Sequence, residues 1–194
     1  MKLSDEITEM LTGMVPEMEF DDFVLGESNA IISFLAKEYG LAGKGNKDEA
    51  RCAMIADLVS DFMQKGRPVR FEQDPEKKKV LEKAFYETDI PNFFALVVKL
   101  LEGNGGKHMV GNEVNSHCRN FSSKLYLMRK HDTFPFQMSY ADILIASLIE
   151  GIKLFNLKAS ENLTLPPSLE THFKMVTESP KIMAWIKKRP ETMF

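Results

Sequence analysis

Apolar residues recur along this chain with two different periods, and the switch between them marks its organisation. Glu17 to Phe20 alternates polar and apolar side chains, as a half-buried strand does. Asp21-Asp22 are turn formers, and Phe23-Val24-Leu25 reads as a second short strand. From Gly26 the period becomes helical. Ala30, Ile31, Phe34 and Leu35 share one face of a helix that Ser28 is predicted to cap, with Lys37 and Glu38 turned away. Gly40 supplies its stop. Lys44–Asn46 is a polar linker, and a long helix is predicted from Lys47, with Ala50, Met54, Ala56, Leu58, Val59, Phe62 and Met63 at helical intervals. Gly66-Arg67-Pro68 is predicted to weaken or kink it.

The second half is helical throughout. Asp74-Pro75-Glu76 opens a helix with a capping Asp, Pro at the first position and an acid near the positive end. It is predicted to run through Val80, Leu81, Phe85, Ile90, Phe93, Phe94, Val97 and Leu101 to a stop at Gly103–Gly106. Ser139 and Asp142 form a capping box before ILIASLIEGIKLF, a nearly all-apolar run that reads as the centre of a bundle. Pro166-Pro167 starts the next helix, with Leu169, Phe173 and Val176 facing inward. Ser179-Pro180 starts the last, in which Ile182, Trp185 and Ile186 are predicted to pack and Pro190 to end the helix. Ser4 is predicted to cap a short helix carrying Ile7, Met10 and Leu11.

Composition narrows the function classes. A net charge of -3 over 194 residues gives no electrostatic case for nucleic acid or an anionic membrane. No apolar run approaches the roughly 18 residues of a membrane span, and MKLSDEITEM lacks a signal peptide's apolar stretch. Cys52 and Cys118 make no disulfide framework, so a cytoplasmic setting is expected. His117, Cys118 and His131 lack the spacing of a zinc motif, and no metal is expected.

Chemistry concentrates at the start of the first helix. Backbone amides, the positive end of the helix dipole and the Ser28 hydroxyl together suit a carboxylate or phosphate. The neighbouring strand, led by Val15-Pro16, could hold a peptide-like ligand by main-chain hydrogen bonds. An ordinary capped surface helix has the same signature, so the residues alone leave both readings open.

VPEMEFDD…ESNAIISFLAKEYGLAG, the SYAD box and SPKIMAWIKKRP, in that order, resemble a sigma-like cytosolic glutathione transferase. The resemblance implies an α+β fold: part of a thioredoxin-like glutathione-binding domain over residues 1–43, then an all-helical domain over 47–194. It implies a cis Val15-Pro16 bond, with the Val15 backbone pairing the cysteine of glutathione. Glu27 and Ser28 would hold the γ-glutamyl end, with Met14 alongside. Asp61, on one helical face with Asp57, would reach the γ-glutamyl amine across a twofold homodimer. The implied activity is attack of the glutathione thiolate on a small hydrophobic electrophile, with glutathione as substrate.

Two stretches depart from the family pattern. The strand, helix and strand expected ahead of Val15 are lacking, so an N-terminally truncated sequence is expected. No Tyr precedes Tyr39 to stabilise the thiolate, and Leu3 and Ile7 stand where the family has Trp and Lys. Val15–Phe20 is therefore expected to offer an exposed, partly apolar edge. The 24 residues from 114 to 137 (137 − 114 + 1) have no family counterpart. Codon runs possible at the two ends resemble intron borders, so a retained intron is expected, with a real loop insertion as the alternative. Three functions remain: a detoxifying transferase, a non-catalytic glutathione-transferase-like binding or structural protein, and a prostaglandin-isomerase-like enzyme. For this chain, binding without turnover is expected.

Overall fold

Two short strands and a run of helices follow the periods read above. The computed structural model describes residues 16–111, 138–155 and 163–189. The predictions for Ser4 to Leu11, the 114–137 stretch, the Val15 peptide bond and Pro190 lie outside the described residues.

Strand β1 (Glu17–Phe20) pairs antiparallel with β2 (Phe23–Gly26), Glu17 opposite Gly26 and Phe20 opposite Phe23. The two-residue connection needs a backbone that turns sharply, and Asp21 supplies it at φ 53°. Helix α1 (Ser28–Glu38) then packs across the hairpin, with the Phe23 and Phe34 rings 5.4 Å apart. Among the described residues the sheet has these two strands, and Phe20 is 60% exposed at its tip.

Helix α2 (Gly45–Phe71) is longer than predicted at both ends. Gly45 and Asn46 already belong to it, so the polar linker is shorter than Lys44–Asn46. The helix continues past Pro68 to Phe71, and its last turn closes through the Glu72 N–H to the Pro68 carbonyl at 3.0 Å. At its start Asp48, buried, accepts a hydrogen bond from the Lys44 N–H at 3.0 Å. Gly43 lies directly over this contact at φ +83°, where an added Cβ would sit 2.5 Å from Asp48 Cβ. Gly43→Ala therefore combines a left-handed backbone with a clash, and is expected to cost about 2 kcal/mol. A thermal melt of the variant, lowered by several degrees, checks it.

The predicted single helix from Pro75 divides into α3 (Pro75–Ala84), a π-helical turn at Phe85–Asp89 and α4 (Ile90–Gly103). Asp74 caps α3, accepting from the Glu76 and Lys77 N–H groups at 2.9 and 3.3 Å. The widened turn falls directly ahead of Pro91, whose ring would press on a carbonyl of a regular α-turn. Phe62 of α2 stacks on Phe85 and Phe93, with ring centroids 5.3 and 4.3 Å away.

Helix α5 (Tyr140–Phe155) runs through the core with Ala141, Ile145, Ile149 and Ile152 buried. Helix α6 (Pro167–Thr177) packs on it through Leu169 and Val176, and α7 (Pro180–Lys188) closes the described chain. Trp185 departs from its predicted packing: it is 62% exposed, while Ile182 and Ile186 are only partly covered. Among the described residues no helix is long and apolar enough to cross a membrane.

Candidate functional site

Gly26 leads directly from β2 into the turn that starts α1. The residue that flanks this helix is Glu27, at φ 69° and ψ 121°, and its side chain makes no capping bond. Ser28 is thus the first helical residue and not the cap the sequence predicted. A positive φ at a non-glycine residue is costly and clusters at functional sites. Its consequence here is an open helix start: Glu27 and Ser28 are exposed, and the first turn closes through the Ile31 N–H to the Glu27 carbonyl at 3.0 Å. The amides of Ser28, Asn29 and Ala30 precede that bond and have no intrahelical acceptor. Extending the strand register by one pair puts Pro16 opposite Glu27. The structure therefore brings Pro16, Glu27 and Ser28 to one edge, while Met14 and Val15 lie outside the described residues.

The helical part reaches this edge from below. Asn29 Nδ2 donates to Asp57 Oδ1 and to Ser60 Oγ, both at 3.2 Å. Asp57, noted in the sequence only as sharing a face with Asp61, is thus engaged by α1. Asp61 follows Ser60 and is exposed. At the opposite end of α1, Lys37 Nζ meets Glu49 Oε2 at 2.9 Å, and the Tyr140 N–H donates to the Leu41 carbonyl at 2.8 Å. Tyr39 sits at that far end, 72% exposed and 11 residues beyond Ser28, or about 16 Å along the axis.

A second polar cluster is buried. Asp142 accepts from the Ser139 N–H and hydroxyl through Oδ2 at 2.7 Å each, and from the Met109 N–H through Oδ1 at 2.7 Å. His172 Nε2 lies 2.8 Å from the same Oδ1. The capping box is therefore half formed as predicted: Asp142 reaches back to the Ser139 N–H, but the Ser139 hydroxyl turns to the carboxylate. Burial raises the Asp142 pKa, yet the bonds from His172, Met109 and Ser139 outweigh it and hold the carboxyl below its ordinary range. Burial pulls the His108 imidazole down against the pull of the nearby Asp142. Burial also lifts the Cys52 thiol to about 11, against hydrogen bonding to Ser139 and Ala141, so it is no nucleophile at neutral pH. Sequence reading missed His172, whose partner stands 30 residues away and carries no local signal.

A β-hairpin set against the open start of a helix, joined to an all-helical unit, makes this an α+β protein of the thioredoxin-like plus all-α type. The chain belongs to the glutathione S-transferase family: the family's C-terminal domain matches residues 60–116 and 126–189, more than half of it. The break in that match is residues 117–125 alone: 114–116 and 126–137, expected to have no family counterpart, fall within the matched segments. Among curated proteins, glutathione S-transferase 1 of Ascaris suum is 28% identical over 193 residues, spanning 94% of this chain and 77% of its own. Among solved structures, a Nu-class glutathione transferase from Haemonchus contortus superposes with a TM-score of 0.73 at 27% identity, covering 98% of this chain and 80% of that one. The glutathione S-transferase of Ascaris lumbricoides gives 0.71 at 26%, covering 97% and 80%.

Proposed function

We propose that this chain binds glutathione at the start of α1 and is a sigma-like glutathione transferase toward small apolar electrophiles. The observation that carries the reading is the uncapped helix start at Glu27, on the fold shared with the transferases above. The γ-glutamyl carboxylate would lie on the amides and hydroxyl of Ser28, beside Glu27, where the helix dipole favours an anion. Pro16, with Val15 and Met14 before it, would line the cysteine of the tripeptide. Asp61, exposed on α2, would meet the γ-glutamyl amine of a second copy in a cytoplasmic homodimer. Residues 1–43 would form the glutathione-binding unit and 47–194 the helical unit. No metal takes part.

Calorimetry with glutathione tests this. Ser28→Ala is expected to weaken binding about tenfold, the loss of one hydrogen bond to a charged group. Equal affinities in the variant and the unmodified protein would overturn the placement.

A non-catalytic binding role is the second reading, favoured by the position of Tyr39. Tyr39 stands at the far end of α1 from Pro16, away from a thiol held there. A conjugation assay with a panel of electrophiles, one of them a prostaglandin endoperoxide, separates the roles. Glutathione binding without turnover by the 194-residue chain supports the second.

A further inference from the structure

The geometry points to Asn29 as a positioning residue that holds the anion-binding turn of α1 in place through α2; this rests on the glutathione reading above. Glu27 adopts φ 69° and ψ 121°, a conformation that persists only where neighbouring structure over-determines it. Its own side chain makes no capping bond, so beyond the exit from β2 the turn is held by what its neighbours contact. Asn29, two residues on, has the required reach. Its amide nitrogen bears two hydrogens, and it has two acceptors at 3.2 Å: Asp57 Oδ1 and Ser60 Oγ. Those acceptors are three residues apart on α2 and so share a face. One side chain therefore spans nearly a turn of the facing helix, which fixes how the start of α1 is seated and rotated on α2.

The other end of α1 is tied differently. Lys37 and Glu49 form an exposed ion pair at 2.9 Å, a type of contact that contributes little. Pairing 29 with 57 and 60, but 37 with 49, makes the helices antiparallel, so the two ties lie at opposite ends of α1. Loss of the Lys37 tie leaves the ligand end anchored. Loss of the Asn29 tie frees the turn carrying Glu27 and Ser28, whose amides have to converge on one carboxylate to bind it well.

The test compares Asn29→Ala, Lys37→Ala and the pair Asp57→Ala with Ser60→Ala, all in the full chain. Glutathione affinity is read by calorimetry, and amide hydrogen exchange over residues 27–31 is read without ligand. Asn29→Ala is expected to raise the Kd about tenfold and to speed exchange at the first turn. Lys37→Ala is expected to leave both unchanged. Combining Asn29→Ala with the Asp57 and Ser60 changes is expected to add nothing further to the Kd, because all three act through one bridge. Asn29→Gln, which displaces the donor by one methylene, serves if the Ala variant does not fold.

An Asn29→Ala Kd within twofold of the unmodified protein, or additive losses in the combined variant, overturns the proposal. Failure of the unmodified chain to bind glutathione overturns the ligand reading along with it, so the two failures are told apart.

Discussion

Asp142→Ala is expected to remove about 4 kcal/mol of stability and to lower the melting temperature by roughly 10 °C. The carboxylate is fully buried and joins three segments: the chain at Met109, the start of α5 at Ser139, and α6 through His172. Truncation leaves the Met109 and Ser139 amides and the His172 ring buried without that acceptor, which costs more than the bonds themselves contributed. Asp142→Asn keeps the shape but loses the charge, and is expected to fall between the two. The sign of the pH dependence follows from the depressed carboxyl pKa. A depressed folded-state value means that the carboxylate's contribution is fully present above the ordinary Asp range. It is lost as the pH falls through the lower folded value. Urea midpoints of the unmodified protein and Asp142→Asn, measured from neutral pH to about pH 3, are therefore expected to converge toward acid. A gap that stays constant over that range would show that the charge is not what Asp142 contributes.

Phe62→Ala is expected to cost a similar amount, about 4 kcal/mol, with Phe62→Leu near 1 kcal/mol. Phe62 is buried on α2 between two rings, Phe85 of the π-helical turn and Phe93 of α4. Its removal opens a cavity where three segments meet and forfeits aromatic contacts worth more than their area alone. Gly66 lets the Phe85 ring approach α2 closely, since an added Cβ there would lie 3.3 Å from it. Urea unfolding gives the energy, and faster amide exchange over residues 85–89 is expected to locate it. A loss below about 1 kcal/mol would mean that the rings repack around the missing one.

How much of this was legible beforehand varies by element. The hairpin, the Asp74 cap and the apolar run of α5 were legible because each depends on residues within a few positions of one another. The family resemblance supplied Pro16, Glu27, Ser28 and Asp61 as site residues; their role in holding glutathione is a proposal, although Pro16, Glu27 and Ser28 lie along one edge. The caps were read less well. Ser28 has the right side chain for a cap, yet Glu27 takes that position because the exit from β2 at Gly26 sets where the helical backbone starts. Pro68 and Pro91 both fall inside stretches read from sequence as helical. One is absorbed by a regular helix and the other follows a π-helical turn, a difference that the periodicity of the apolar residues does not carry. Trp185 sits in an apolar pattern, but the neighbouring helices leave it uncovered.

By itself the sequence determined the two strands and the helical stretches in order, without the π-helical turn that divides the one from Pro75, and through its motifs the family to which the chain belongs. Only the tertiary structure decided that Asn29 grips Asp57 and Ser60, that His172 completes the Asp142 cluster, and that Glu27 is held at a positive φ. The physical reason is separation along the chain. Periodicity and capping are local, whereas these contacts join residues 28 to 31 positions apart, whose meeting depends on how every intervening helix packs.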